Sequence, residues 1–453
     1  MTVRVPEHER LSLGNGVTLI LVPRRDVPLV TFNAVLRGGA IGDPASRPGV
    51  ASLVAGLLEK GAGERNAYAF ADVVEGVGGS FGAGAGPEAI TVRGQFLARD
   101  QQLMLELLAD ALLRPALDAQ ELEDLADRHV ELIKAAKDAD PSELIGTYGR
   151  AFLFGDHPYG RPVFGSEASL AAIDREDVRR YYEGQFGAER LILVLAGDID
   201  ADLLARGIAE SFSRWPSASA AAAGLSRPPA LAGRRVLLVD SPGSAQTYFW
   251  IGSVGVDKRY PRRAALDLVN TLFGGRFTSL LNTELRIKSG LSYGARSSFA
   301  RGSVPGEFSL RSFAQTENTG RALDLALRTL ERLRYEGVTG RMLDSARAYT
   351  LGQYPLGLET AADWAAVLAE IELYGLGKGY VDDYPAQLAS VGIEEAQAVI
   401  EEAFPPADSV AIVAIGDAAK IRRGLAAHGP LAEMALTDPE FSAWWASGDE
   451  NRP

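Results

Sequence analysis

Two apolar segments with alternating polar positions occupy comparable places in the two halves of the chain. They span residues 17–36 and 236–254. Alternation over about four to eight residues is typical of a strand with one buried face. Because turn-forming residues interrupt each segment near its middle, we predict that each folds as an antiparallel hairpin.

The order of the elements that follow is the same in both halves. Each half continues with a helix (49–58 and 262–272), a glycine-punctuated strand pair (82–97 and 293–314), long amphipathic helices, and a closing helix and strand (173–196 and 394–415). This order indicates an internal repeat, with coincidence between two generic patterns as the alternative. Strands interleaved with helix pairs predict an α+β fold, in which each half holds two similar subdomains with a mostly antiparallel sheet and helices on one face.

A stretch rich in alanine, serine and proline separates the halves. Residues 216–233, PSASAAAAGLSRPPALAG, show no amphipathic period and are typical of a linker. We therefore predict an N-terminal half at 1–215, a linker at 216–233 and a C-terminal half at 234–453.

Composition and charge narrow the possible partners. With 47% hydrophobic and 23% charged residues the chain is typical of a globular protein, and its net charge of −13 argues against nucleic acid and favours basic partners such as a basic peptide. No apolar run reaches the roughly 20 residues of a membrane-spanning helix, so we expect a soluble protein without a membrane partner. Both the cytoplasm and, after removal of a signal peptide, the periplasm fit this sequence.

The supply of metal ligands is small. The chain has no cysteine and four histidines, so a transition metal would need imidazole and carboxylate ligands. His129 lies two residues from Asp127, which places the two on different faces of a helix, and we expect it on a solvated face. His157 stands in a Gly-Asp-His-Pro-Tyr-Gly turn, where a bond to the backbone is expected. His8 and His428 lie near the ends of the chain.

Four strings, in order along the chain, carry a resemblance to a known family. They are GVASLVAGLLEKGA (49–62), VVEGVGGSFGAGAGPEAITV (73–92), FGDHPYGRPVFG (154–165) and GGRFTSLLNTELRIKSGLSYGARSSF (274–299). Together they resemble the pitrilysin/insulinase family of zinc peptidases, particularly its processing-peptidase branch. The last is the most specific, because it holds an arginine, six intervening residues and a tyrosine. The resemblance implies two homologous halves that form a clamshell around a cavity.

The same resemblance implies that the zinc site of the first half is degenerate. Active members carry H-x-x-E-H on one helix, where residues i and i+4 bind the metal and the glutamate acts as general base. Here the corresponding residues are Ser52, Ala55 and Gly56, and Asp127 stands where the family has a third ligand. We expect no metal in this chain. A peptidase that is active alone through an unrecognised metal site is the alternative.

The second half retains the residues that match the Arg/Tyr pair of the family, Arg286 and Tyr293. In the family this pair reaches towards the scissile bond, and a guanidinium and a phenol are donors that can stabilise charge on a carbonyl oxygen. The alternative is structural, with Arg286 at the end of a helix and Tyr293 half-buried at the start of a strand.

A further match concerns binding of the substrate backbone. Active members accept the substrate along a strand that begins near Asn-Ala, and here Gly82 and Ala83 occupy those positions. Addition of a strand needs only main-chain groups, although glycine raises the entropic cost of ordering it. A plain loop is the alternative.

These observations predict a non-zinc, substrate-binding subunit of a heterodimeric zinc endopeptidase. It would be inactive alone and would supply Arg286 and Tyr293 in trans to a homologous subunit, which binds zinc and hydrolyses the peptide. The alternative is an inert structural or assembly subunit of a larger complex. The segment 441–453, FSAWWASGDENRP, is predicted to dock against its own domain.

Overall fold

The computed structural model describes residues 3–222 and 224–442 and divides into two compact units. Unit 1 comprises Met1–Leu132, Pro162–Gly224 and Pro355–Asp382, and unit 2 comprises Ile133–Arg161, Leu225–Tyr354 and Asp383–Pro453. The change between the main parts falls inside the predicted linker. In addition, each unit includes one segment from the other half of the chain, an exchange that was not predicted from the sequence.

Each unit is built on one six-stranded sheet flanked by helices. The strands are β1 (Glu9–Ser12), β2 (Thr18–Pro23), β3 (Leu29–Arg37), β4 (Gly61–Ala62), β5 (Arg65–Asn66), β6 (Ser80–Ala85), β7 (Ala89–Leu97), β8 (Leu191–Gly197), β9 (Arg235–Asp240), β10 (Gln246–Val254), β11 (Ala295–Phe299), β12 (Glu307–Gln315), β13 (Ala411–Gly416) and β14 (Leu431–Ala435). The α-helices are α1 (Val50–Leu57), α2 (Ala67–Gly76), α3 (Gln101–Leu113), α4 (Ala119–Ala139), α5 (Ile145–Phe154), α6 (Glu167–Ala172), α7 (Arg175–Gln185), α8 (Ala201–Phe212), α9 (Arg263–Asn270), α10 (Leu280–Asn282), α11 (Thr319–Glu336), α12 (Gly340–Gln353), α13 (Ala361–Leu373), α14 (Gly379–Asp382), α15 (Tyr384–Ser390), α16 (Ile393–Ala403) and α17 (Ala418–Ala426). Within the described ranges, none of these helices is both long enough and apolar enough to cross a membrane.

The sheet of unit 1 has the order β1-β2-β8-β3-β7-β6. Strands β2 and β8 run parallel, and the other neighbours are antiparallel. The predicted hairpin over 17–36 is wrong, because β8 lies between β2 and β3. Every residue of β8 is buried, and an entirely apolar strand is stable only at the centre of a sheet with both faces covered.

The sheet of unit 2 has the order β11-β12-β10-β13-β9-β14. The predicted hairpin over 236–254 is wrong for the same reason, since the buried strand β13 lies between β9 and β10. Five strands of this sheet match β2, β8, β3, β7 and β6 of unit 1 in position and direction. The glycine-punctuated strand pairs are hairpins in both units, and the predicted α+β class with mostly antiparallel sheets is confirmed.

One helix from each exchanged segment packs on a sheet. In unit 1, α13 contacts β3 and β8, and Leu368 belongs to the same buried cluster as Ile192 and Val194. In unit 2, α5 contacts β10 and β13 so closely that a Cβ on Gly149 would lie 2.5 Å from the Trp250 ring. Helices α13 and α5 therefore cover the central strands β8 and β13 on one face of each sheet, in addition to the cover on the opposite face. Burial on both faces accounts for the uninterrupted apolar sequences of these strands.

The predicted docking tail lies outside the described residues from position 443 onward. Its first residue, Phe441, is buried in unit 2 and packs edge-on against Tyr148, with 5.0 Å between the ring centres. Lys137 donates a hydrogen bond to the carbonyl of Asp438 at 2.6 Å, just before this residue. The chain is thus anchored to unit 2 as far as Phe441.

Candidate functional site

Helix α1, which carries the positions of the degenerate zinc motif, is fixed at its N-terminus by a buried carboxylate. Gly49 precedes the helix with a φ of 101°, a conformation that favours glycine. Asp43 accepts hydrogen bonds from the backbone N–H groups of Gly49 and Ala51, each at 2.8 Å. These bonds satisfy amides that the first turn leaves without helical partners. The predicted helix is therefore present.

The side chains on α1 do not fit a zinc ion. Ser52 and Ala55 are buried, and a Cβ on Gly56 would lie 2.7 Å from Cδ2 of Leu125 on α4. The space that an imidazole would need at position 56 is thus filled by a leucine side chain. Asp127 is exposed on α4. In the part of the chain that the structure describes, no three His, Asp or Glu residues are placed to hold a metal.

The surroundings of His129 and His157 are those of residues that support the fold. The expected solvated face for His129 is wrong: the residue is 8% exposed, because the Phe164 ring covers it with 5.1 Å between the ring centres. Burial lowers the pKa of His129, so the ring is neutral at pH 7. His157 forms the backbone bonds that were predicted, since its Nδ1 accepts from the Tyr159 amide at 3.1 Å and its Nε2 lies 2.9 Å from the Ser226 carbonyl oxygen.

We expect Gly56→His to destabilise unit 1 and to create no zinc site, even when combined with Ser52→His and Ala55→Glu. The imidazole must displace Leu125, and overpacking of a filled core typically costs about 1–3 kcal/mol. Denaturant unfolding and zinc content after dialysis are the measurements. Gly76→His is the control, because that position is exposed with open space around it. Stoichiometric zinc in the triple variant would contradict this view of α1.

Arg286 and Tyr293 lie on the wall of a pocket of about 860 Å³ within unit 2. Arg286 belongs to a π-helical turn, Thr283–Lys288, and Tyr293 precedes β11. The guanidinium carbon is 4.1 Å from the centre of the Tyr293 ring and 4.7 Å from that of Phe277. Tyr293 is 73% exposed rather than half-buried, so packing gives little reason for its presence. The two residues form one donor-bearing surface at the pocket.

The acidic residue closest in sequence to Arg286 is engaged elsewhere. Glu284 accepts hydrogen bonds at 2.9 Å from both Lys288 and Arg332. Burial opposes ionisation of this carboxyl, but the two cations outweigh that effect and lower its pKa. Arg286 forms no ion pair with any carboxylate in residues 3–222 and 224–442. Its guanidinium donors are therefore available to a ligand.

The glycine-rich segment of unit 1 is a strand, so the alternative of a plain loop is wrong. Gly82 and Ala83 lie in β6, the outer strand of the sheet, and pair with Arg93 and Val92 of β7. They line a second pocket of about 540 Å³, which lies within unit 1. The other edge of β6 has no partner strand among the described residues, so its main chain can accept an added strand.

Two polar residues close to the unit 1 pocket were not predicted from the sequence. Asn33 is buried on β3, and its Oδ1 has no hydrogen-bond partner in the described part of the molecule. Glu59 follows α1, and burial raises the pKa of its carboxyl. A Cβ on Gly82 would lie 3.9 Å from Glu59 Oε2. The amide within the apolar run of β3 was an available signal for Asn33, whereas nothing in the sequence marked Glu59.

Three more residues of the unit 2 pocket were also missed: Arg276, Arg296 and Arg311. Arg276 and Arg296 lie within the string at 274–299, in which only Arg286 and Tyr293 were predicted as site residues. Arg311 lies on β12 and is brought to them by the sheet. The pocket thus draws its cations from separate parts of unit 2.

Two family models match consecutive parts of the chain. Residues 24–167 match the model described as insulinase (peptidase family M16), and residues 172–349 match the model described as peptidase M16 inactive domain. The chain belongs to the M16 family. The predicted membership of the insulinase/pitrilysin family is confirmed, and Arg286 and Tyr293 lie in the domain of the inactive type.

Individual relatives agree with this assignment. An uncharacterized zinc protease of Mycobacterium leprae is 28% identical over 398 residues, which are 87% of this chain and 88% of that protein. The crystal structure of a peptidase M16 inactive domain from Pseudomonas fluorescens has a TM-score of 0.84 at 24% identity, over 91% of this chain and 98% of that one. A protease from Helicobacter pylori has a TM-score of 0.82 at 19% identity, over 90% and 99% of the two chains. The solved structures establish that this M16 chain has the M16 fold.

Proposed function

We propose that this M16 chain is the non-zinc, substrate-binding subunit of a heterodimeric zinc endopeptidase. The observation that carries the proposal is the pair Arg286 and Tyr293, which faces a pocket and has no competing carboxylate partner among the described residues. The residues on α1 meanwhile do not fit a metal. Within the described residues, the chain has donors for a reacting carbonyl, and the positions on α1 hold no group that could activate water.

The chemistry of the two donors suits a role in trans. When water adds to a peptide carbonyl, negative charge develops on the oxygen, and preorganised N–H and O–H donors stabilise that charge. The guanidinium of Arg286 presents a planar set of donors. Tyr293 adds a phenolic hydroxyl from an exposed ring. The partner subunit would supply zinc and the general base, and this chain would supply the pair.

The edge of β6 extends the proposal to the peptide backbone. An extended substrate can pair with the main chain of Gly82 and Ala83, and Gly82 allows close approach because it has no Cβ. This strand belongs to unit 1, whereas the Arg/Tyr pair belongs to unit 2. Each unit therefore offers its own contribution to holding a peptide.

A purely structural role is the second candidate. It would suit the loss of the α1 ligands, but it gives no reason for Arg286 and Tyr293. An exposed tyrosine and an arginine without an ion pair contribute little to folding. The donor surface therefore favours the peptidase subunit.

Reconstitution tests the proposal. We expect no peptide hydrolysis by this chain alone, and hydrolysis when it is mixed with a homologous chain that carries H-x-x-E-H, ideally one encoded in the adjacent reading frame. Cleavage of a fluorogenic peptide mixture and the zinc content of each chain are the measurements. The partner preincubated with a chelator is the control. Activity that does not change on mixing would exclude the heterodimeric peptidase.

A further inference from the structure

The unit 2 pocket is strongly cationic in a protein whose net charge is −13. In the part of the chain that the structure describes, four arginines line it, Arg276, Arg286, Arg296 and Arg311, and no aspartate or glutamate does. None of the four forms an ion pair with a carboxylate in the described parts of unit 2. The surplus of negative charge therefore lies elsewhere, and this concave surface attracts anions.

Two of the arginines stand opposite each other on neighbouring strands. Arg296 on β11 pairs in register with Arg311 on β12, and like charges in directly opposed positions disfavour the sheet. Glu307, which also lies on β12, forms an ion pair with Arg150 at 3.7 Å, and it interacts with Arg311 only through longer-range charge attraction. The Nε atoms of Arg311 and Arg276 are buried without a hydrogen-bond partner in the described structure. An anion in the pocket would relieve the repulsion between the two guanidinium groups.

The pocket also has features that suit a peptide. Tyr293 to Ser297 line it consecutively, and this segment leads into and includes much of β11, the outermost strand of the sheet. An extended chain beside β11 can form main-chain hydrogen bonds with it, which a phosphodiester backbone cannot do in the same way. Tyr248, Phe313 and Tyr349 add aromatic surface. Main-chain donors, aromatic rings and arginines together match an extended peptide with acidic side chains.

We propose that unit 2 binds an extended acidic peptide segment, with its main chain along β11 and its Asp or Glu side chains facing Arg296 and Arg311. This reverses the preference for basic peptides expected from the net charge. The proposal deepens the proposed function, because in the assembled peptidase the segment would belong to the substrate. The binding step itself requires only this chain.

Binding of matched peptides to the full chain, without a partner, tests the proposal. One labelled decapeptide alternates glutamate with valine, and the other carries glutamine in place of each glutamate. We expect fluorescence anisotropy to show affinity at least about tenfold higher for the glutamate peptide, with a smaller difference at high salt. Arg296→Gln and Arg311→Gln should each remove most of this preference. Arg328→Gln, which removes an exposed arginine of α11 outside the pocket, should leave it unchanged.

Several results would overturn the proposal. They are equal affinity for the two peptides, no binding of either, or an unchanged preference in Arg296→Gln. Arg296 is exposed on an edge strand, so this variant should fold, and circular dichroism would verify it. Equally tight binding of a single-stranded oligonucleotide of the same charge, lost in the same variants, would instead identify a general polyanion site. Because the assay needs no hydrolysis, its outcome is independent of whether reconstitution of the peptidase succeeds.

Discussion

Arg286→Ala is expected to lower the kcat of the reconstituted peptidase on the order of 30- to 1,000-fold. This decrease corresponds to a loss of roughly 2–4 kcal/mol in transition-state stabilisation. The reason is that a guanidinium donor to the developing oxyanion contributes more in the transition state than in the ground state. Tyr293→Phe removes only the hydroxyl and should reduce kcat in the same direction. Steady-state kinetics with saturating partner subunit measure both variants.

The controls separate chemistry from folding. Tyr293 is exposed and Arg286 has no ion pair in the described structure, so neither change should shift the unfolding midpoint of the isolated chain by much. Arg286→Lys keeps the charge but loses the planar fork and should recover only part of the activity. Arg328→Ala is the matched change outside the pocket and should have no effect. Activity equal to that of the unchanged chain in Arg286→Ala and Tyr293→Phe would remove the proposed role.

The largest expected effect on stability is that of Phe404→Ala, which should cost about 3–5 kcal/mol in the free energy of unfolding of unit 2. The residue is 1% exposed, and its ring lies 5.7, 5.2 and 5.4 Å from the rings of Phe273, Phe299 and Phe308. Removing it leaves a cavity within a cluster of four aromatic rings. Calorimetry of the isolated chain, which can resolve the transitions of the two units, is the measurement.

Phe404→Ala should also affect the unit 2 pocket. Phe299 is the last residue of β11, so a loosened aromatic cluster should speed amide hydrogen exchange along β11 and β12. Tyr335→Ala is the matched control, since that ring is 89% exposed and its removal should change stability by less than about 0.5 kcal/mol. An unchanged transition of unit 2 in Phe404→Ala would show that the cluster contributes little to the unit.

Local patterns in the sequence predicted which segments form strands, but they did not predict which strands lie side by side in the sheets. The strands predicted in 17–36 and 236–254 are present. In each pair, however, the two strands are separated in the sheet by a third strand, β8 or β13, which comes more than 150 residues later in the chain. Periodicity reports which faces of a segment are buried and carries no information about which strand lies beside it. The hairpins β6–β7 and β11–β12 were predictable because their short turns join neighbours directly.

For a related reason, the exchange of α5 and α13 between the two units could not be predicted from the sequence. Helices α5 and α13 each pack on the sheet whose strands come mainly from the other half of the chain. The uninterrupted apolar sequences of β8 and β13 signal that both faces are covered. They do not say which helix covers them, because any apolar face of suitable shape could do so.

The sequence alone determined that Ser52, Ala55 and Gly56 offer neither two imidazoles nor a general base, because serine, alanine and glycine carry none of these groups in any fold. The family relationship was likewise readable from short strings. Only the tertiary structure decided that Leu125 fills the space beside Gly56, that His129 is buried, and that four arginines meet in one pocket of an acidic protein. Net charge is a sum over the chain, whereas the field in a pocket depends on distances. Those distances are set by the packing of segments far apart in sequence.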